Sequence, residues 1–147
     1  DFLAFSSVFG ETNYNYSAVA VKDALVCMIE KEALQNLLQS NSDFALRIIS
    51  RNCRNENHLL DVIGNLSYKQ MRGKLASALL YLSKDQFRQE EVFQYLTRQD
   101  ISDFASISTE STIKFLKEFE KEGMVELKKK DIEVKDYERL RTISVTG

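Results

Sequence analysis

The clearest periodicity in this chain lies between residues 98 and 135, RQDISDFASISTESTIKFLKEFEKEGMVELKKKDIEVK. After Ser108 the apolar positions recur every three or four residues. At 100° per residue, Thr112, Phe115, Leu116, Phe119 and Gly123 gather on one side, while Thr109, Glu110, Ile113, Lys114, Lys117 and Lys121 fall on the other. Ser108 supplies an N-cap and Gly123 a left-handed stop, so the pattern predicts a helix of about four turns. Ahead of it, Thr97-Arg98-Gln99-Asp100 has the spacing of a capping box, and Ile101, Phe104 and Ala105 give the short helix that follows one buried side. Only Ser106 and Ile107 separate that helix from the Ser108 cap, so the two must meet at a sharp corner. Beyond Gly123 the period changes to two: Val125 and Leu127 flank Glu126, and Ile132 and Val134 flank Glu133, as half-buried strands require. Lys128, Lys129 and Lys130 fall at the turn, which has no glycine, leaving its backbone type open. Helix, corner, helix and basic-tipped hairpin make a winged helix-turn-helix, which offers its second helix to the DNA major groove.

Upstream, residues 17–29 (SAVAVKDALVCMI) form two β-rich runs broken at Lys22-Asp23 and predict paired strands, with Cys27 a core residue. A short helix follows over 31–39. Asn41 or Ser42 then caps a long helix with no breaker before Gly64. It carries two apolar lines, one of Leu46, Ile49, Cys53, Leu60 and Ile63, the other of Ile48, Leu59, Val62 and Leu66. Covering both takes a further surface, which a second copy of the helix supplies. The candidate dimer interface is therefore Leu46, Ile49, Cys53, Leu59, Leu60, Val62, Ile63 and Leu66. Asn52, Asn55 and Asn57 interrupt the lines midway, either pairing across a two-fold axis or facing solvent.

Composition narrows the function. With 147 residues, 44% hydrophobic and 29% charged, the chain suits one or two small soluble domains. A net charge of −2 does not fit indiscriminate coating of nucleic acid, so contact with DNA must rest on local positive charge over 109–130. No apolar run approaches the roughly 20 residues needed to span a bilayer, and no signal-peptide pattern is present; the cytoplasm is the expected compartment. Two cysteines without close spacing make neither a disulfide framework nor a zinc site. The single histidine, His58, lies five residues from Cys53, about 140° around a helix, so no nucleophile–base pair is formed. No catalytic or metal-binding motif occurs, and no enzyme activity, metal or cofactor is expected.

The run TRQDISDFASISTESTIKFLKEFEKEGMVEL resembles the DNA-binding domain of the Crp–Fnr family of bacterial transcription regulators. Thr97, Arg98, Gln99, Asp100, Ile101, Ile107, Ser108, Glu110, Leu116, Glu120, Gly123 and Val125 match the family's run. MRGKLASALLYL (Met71–Leu82) resembles the helix that leads into that domain. FLAF…YSAVAVKDALVCMIEKEALQNLL is similar to the last strands and following helix of the family's cyclic-nucleotide-type β-roll, and SDFALRIISRNCRNENHLLDVIGNL occupies the place of its dimerisation helix. The likeness covers nearly all of the chain. It implies an α+β fold: a partial β-roll with a long dimerisation helix over 1–66, then a winged helix-turn-helix domain over 67–147. A chain opening on DFLAF reads as a fragment of such a roll.

The resemblance also implies partners: double-stranded DNA with a palindromic site, a second copy of the chain, and RNA polymerase. Residues expected at the DNA are Arg98, Gln99, Ser108, Thr109, Glu110, Ser111, Ile113, Lys114, Lys117, Lys129 and Lys130. Two of these depart from the family, Thr109 and Lys114 each standing where relatives have arginine. Cyclic-nucleotide-binding members hold the sugar with a glutamate and the phosphate with an arginine; Phe5 and Tyr16 stand there instead, in Ala4-Phe5 and Asn15-Tyr16-Ser17-Ala18-Val19. A tyrosine cannot neutralise an anion, so control by cyclic AMP is not expected and the effector stays unassigned. Iron–sulfur sensing needs more cysteines than this chain has. A winged helix used for protein–protein contact is the alternative reading of the same surface.

Overall fold

The computed structural model describes residues 2, 3, 5–10, 13, 14 and 16–147, with the side chains of residues 6, 58, 61, 65–67 and 86 outside the description. Two compact units divide the chain, residues 1–59 and 60–147.

In the first unit a 3₁₀ turn (Phe5–Phe9) precedes helix α1 (Lys31–Ser40), and helix α2 (Ser42–Tyr68) begins within it. Asn41 caps α2 as its sequence foretold: Asn41 Oδ1 accepts from the Phe44 amide at 2.9 Å. The turn and α1 are joined by Gln35 Nε2, which donates to the Val8 carbonyl at 2.8 Å. Val8, Leu34 and Ile48 are the buried apolar residues of this unit among the described residues. The paired strands expected over 17–29 are not formed. The described residues from 16 to 30 carry no ladder, and Cys27 is exposed rather than in a core. β-rich composition makes a strand only when a neighbour accepts its amides, and neither run meets one.

The second unit closes a core of its own. Helix α3 (Met71–Leu82) leads, followed by α4 (Asp85–Arg88), a 3₁₀ turn (Val92–Gln94), α5 (Arg98–Ala105) and α6 (Thr109–Lys121). A hairpin of β1 (Val125–Lys128) and β2 (Asp131–Val134) and a last helix, α7 (Tyr137–Thr146), complete it. Leu75, Leu79, Ile101, Leu116, Phe119, Met124 and Leu140 meet in the centre, all essentially without water contact. Each such side chain contributes about 1.5–3 kcal/mol of burial. Helix α7 lies against α3, and the approach is close: a Cβ on Gly73 would stand 2.5 Å from the Gly147 carbonyl oxygen. Asp136 caps α7 by accepting from the Arg139 amide at 3.0 Å. Met124 pins the hairpin to α6, its amide donating to Phe119 while its carbonyl accepts from Lys135 and Asp136. The β1–β2 ribbon is antiparallel and is the one sheet among the described residues. No helix among them is long and apolar enough to cross a membrane.

Candidate nucleic-acid interface

The corner between α5 and α6 is built from local hydrogen bonds. Thr97 Oγ1 accepts from the Asp100 amide at 3.1 Å, and Asp100 Oδ2 accepts from the Thr97 amide at 2.7 Å, closing the capping box. The Thr97 hydroxyl and then its amide hold the Asp100 carboxyl below the usual carboxylate range. Helix α5 stops because Ser106 turns left-handed (φ 52°), returning its amide to Asp103 and that of Ile107 to Ser102. Ser108 then starts α6, its Oγ accepting from the Ser111 amide at 3.1 Å.

Helix α6 buries Thr112, Leu116 and Phe119 and half-buries Phe115; Glu110, Ile113, Lys114 and Lys117 are exposed. The two-faced division read from the sequence is the division found. Gly123, at φ +75°, ends the helix. Glu122 at that end is held from two sides, by Arg72 of α3 at 2.6 Å and by Arg139 of α7, whose Nη1 donates to the Glu122 carbonyl at 2.9 Å. These contacts orient the outer end of α6.

The other expected residues lie in the first turn of α5 and at the hairpin tip. Gln99 is exposed, and Arg98 is half-buried, which lowers its guanidinium pKa without discharging it. Gln99 Nε2 donates to Asp103 Oδ1 at 2.7 Å, and its Oε1 accepts from the Thr109 hydroxyl at 2.6 Å, so α5 and α6 share a side-chain bridge. Glu110 is kept ionised: its own backbone amide, then the Ser108 hydroxyl, hold its carboxyl below the usual range. In the hairpin, Lys128 pairs with Asp131, leaving Lys129-Lys130 as a two-residue loop. Neither has positive φ, so the loop is not of type I′ or II′. Lys128 is no free tip charge, because its Nζ lies 2.6 Å from Glu133. Lys135 meets Glu126 and Glu133, both at 2.8 Å. Lys129 and Lys130 stay exposed at the tip.

Residues 73–143, which hold all of this arrangement but Arg72, match the Crp-like helix-turn-helix domain. Over 138 residues the chain is 28% identical to the cAMP-activated global transcriptional regulator CRP of Salmonella typhimurium, and equally to that of Klebsiella aerogenes. Residues 73–143 thus carry a Crp-like helix-turn-helix domain, and the chain is similar to Crp–Fnr regulators over most of its length. It spans 66% of the length of these relatives, and the match takes in 91% of the chain. The fold is shared with FixK2 from Bradyrhizobium japonicum, at a TM-score of 0.69 and 17% identity over 81% of this chain and 61% of that one. A CooA mutant from Carboxydothermus hydrogenoformans gives 0.63 and 20% over 77% and 54%. The α+β fold class expected from the sequence is thus the one that the chain shares with these structures.

The line expected to pair on α2 is uncovered. In the first unit Leu46, Ile49 and Leu59 are 56–61% exposed and Cys53 is exposed; in the second, Leu60, Val62 and Ile63 are exposed. The side chains of Leu66 and His58 lie outside the described residues, as do Ala4 and Asn15 of the cassette segments. Phe5 packs edge-on against Phe9 with centroids 5.3 Å apart, and Tyr16 is exposed. Three features of this surface carry little or no signal in the sequence. Asp103 was missed, although its four-residue spacing from Gln99 is a helix-pair signal. The Glu122 brace and the Lys128–Glu133–Lys135–Glu126 ladder join residues far apart in the chain or across strands, where spacing gives no signal.

Proposed function

We propose that this protein is a homodimeric, sequence-specific transcription regulator that binds a palindromic DNA site in the cytoplasm and addresses RNA polymerase. In this reading residues 1–66 serve effector-type and dimerisation roles and residues 67–147 bind DNA. The observation that carries it is the outer face of α6: Glu110, Ile113, Lys114 and Lys117 stand exposed behind a capped, sharp corner. Lys114 suits guanine O6 and N7, and Glu110 suits cytosine N4. Ile113 offers a methyl contact to thymine, and Thr109 tunes the site. Arg98, Gln99, Ser108, Ser111 and Lys117 fit the sugar–phosphate backbone from the corner, and Lys129 and Lys130 fit it from the wing.

Pairing of α2 along Leu46, Ile49, Cys53, Leu59, Leu60, Val62, Ile63 and Leu66 would relate two copies of α6 by a two-fold axis, with half-sites about one helical turn apart. Sedimentation tests this: a dimer is expected, and a stable monomer at micromolar concentration rejects it. Titration of duplex DNA at increasing salt tests the DNA reading. Affinity should fall steeply as counterions return to the phosphates; tight, salt-insensitive capture of a protein in place of DNA would make the winged helix a protein-interaction module instead.

The CRP proteins of Salmonella typhimurium and Klebsiella aerogenes are cAMP-activated, whereas DNA binding by this protein is independent of cyclic AMP in our reading. Phe5 accepts no hydrogen bond from a ribose hydroxyl, and Tyr16 brings no positive charge to a cyclic phosphate. Loss of a charge-assisted pair costs on the order of 2–5 kcal/mol, roughly a thirty- to several-thousand-fold in affinity. Calorimetry on the full-length protein with millimolar cyclic AMP should show no saturable heat and no change in operator affinity. A micromolar dissociation constant would reject this part alone.

A further inference from the structure

The carboxylate of Asp103 imposes a direction on a chain of hydrogen bonds that ends at the first residue of α6. A carboxylate only accepts. Gln99 must therefore turn Nε2 toward Asp103 Oδ1, 2.7 Å away, which leaves Oε1 facing Thr109. Thr109 has one hydroxyl proton, and it goes to that Oε1 at 2.6 Å. Ser102 Oγ lies 3.2 Å from Thr109 Oγ1, but its own proton goes to the Gln99 carbonyl at 2.7 Å. With its proton committed, Thr109 offers an approaching group only lone pairs.

We propose that Asp103, acting through Gln99, makes Thr109 an obligate hydrogen-bond acceptor, which biases the facing base toward one with an amino donor, adenine N6 or cytosine N4. This rests on α6 being the DNA-reading helix. Thr109 opens that helix, at the end that reaches base edges. Asp103 and Gln99 are positioning residues, and the second Nε2 proton of Gln99 stays available to a phosphate oxygen. Glu110 beside Thr109 is also an acceptor, so the helix begins with two acceptors and brings its donor, Lys114, a turn later. A Gln–Asp pair that served only to steady α5 would leave the Thr109 hydroxyl free to donate.

Selection from duplex DNA with randomised half-sites, using the full chain, tests the relay. The wild type should enrich adenine or cytosine at one half-site position on the order of three- to tenfold, the size of a single hydrogen bond. Thr109→Val keeps the shape without the hydroxyl and should lose that enrichment at that position alone. Asp103→Asn removes the compulsion: its amide can accept from Nε2 or donate to Oε1, so Gln99 is free to turn and Thr109 is free to donate. Enrichment should then relax to admit guanine or thymine, whose O6 and O4 accept. Unchanged enrichment in Thr109→Val, or enrichment as sharp as the wild type's in Asp103→Asn, overturns the relay while leaving DNA binding intact. A wild type that enriches no sequence overturns both readings, because Thr109 then reads no base.

Discussion

The two units treat their apolar side chains in opposite ways. Residues 60–147 bring Leu75, Leu79, Ile101, Leu116, Phe119, Met124 and Leu140 out of water within one chain. Residues 1–59 bury Val8, Leu34 and Ile48 among the described residues, and leave Leu25 and Met28 at 96% and 94% exposure. Hydrophobic content does not separate them; the kind of partner each residue needs does. The helices of the second unit carry complete apolar faces and are joined by short turns, so neighbours along the chain cover one another. An extended run has amides as well as side chains to satisfy, and only another strand does both.

The largest expected effect tests this difference directly. Leu116→Ala should cost about 2–5 kcal/mol and Phe119→Ala about 3–5 kcal/mol in chemical denaturation of the second unit. Leu25→Ala should stay within about 0.5 kcal/mol. Comparable losses at Leu25 and Leu116 would break the contrast, since Leu25 would then be covered in solution.

The outer face of α6 carries function where its inner face carries stability. Lys114→Ala should weaken binding to the specific site by roughly 1–3 kcal/mol, with much less effect on random DNA and none on the denaturation midpoint. Equal loss on both DNAs would reduce Lys114 to a phosphate contact. At the corner, Thr97→Ala should cost about 1 kcal/mol of stability, since it opens the capping box without touching the core. An unchanged midpoint would show that packing of Ile101 holds α5 unaided.

The smallest effect concerns the wing. Lys128, then Lys135, hold the Glu133 carboxyl down from 4.5 to about 2. A depressed carboxylate contributes stability that is present above its ordinary pKa and lost as the pH falls from about 4.5 to about 2. These charges are open to water, so the contribution is small and screened by salt. Glu133→Gln should flatten that part of the stability–pH curve, more visibly at low ionic strength. A curve identical to the wild type would show that the ladder contributes no stability.

Residue order alone carried the helix-turn-helix. The Thr97 box, the Ser108 cap and the Gly123 stop each close hydrogen bonds within a few residues, so their geometry follows from local sequence. The same holds for the phase of α6 and for the alternation in β1 and β2. Helix α7 was not read, because Leu140 and Ile143 are sparse apolar positions among Glu138, Arg139, Arg141 and Thr142. Its place is set by how closely Gly73 lets it approach α3. In residues 17–29, alternation and β-branching signal what a segment can join, not that anything is there to join.

What order could not reveal is which distant groups share a hydrogen bond or a charge. Lys128 looked like part of a free basic tip until β2 placed Glu133 2.6 Å from it. A threonine hydroxyl can donate or accept, and at Thr109 only the turn at Ser106 brings Gln99 and its Asp103 partner beside it. A hydroxyl's role depends on where its one proton goes, and that depends on groups ten residues away in sequence and 2.6 Å away in space. Helix phase and caps follow from bonds a few residues long; proton direction and charge pairing follow from the packed corner.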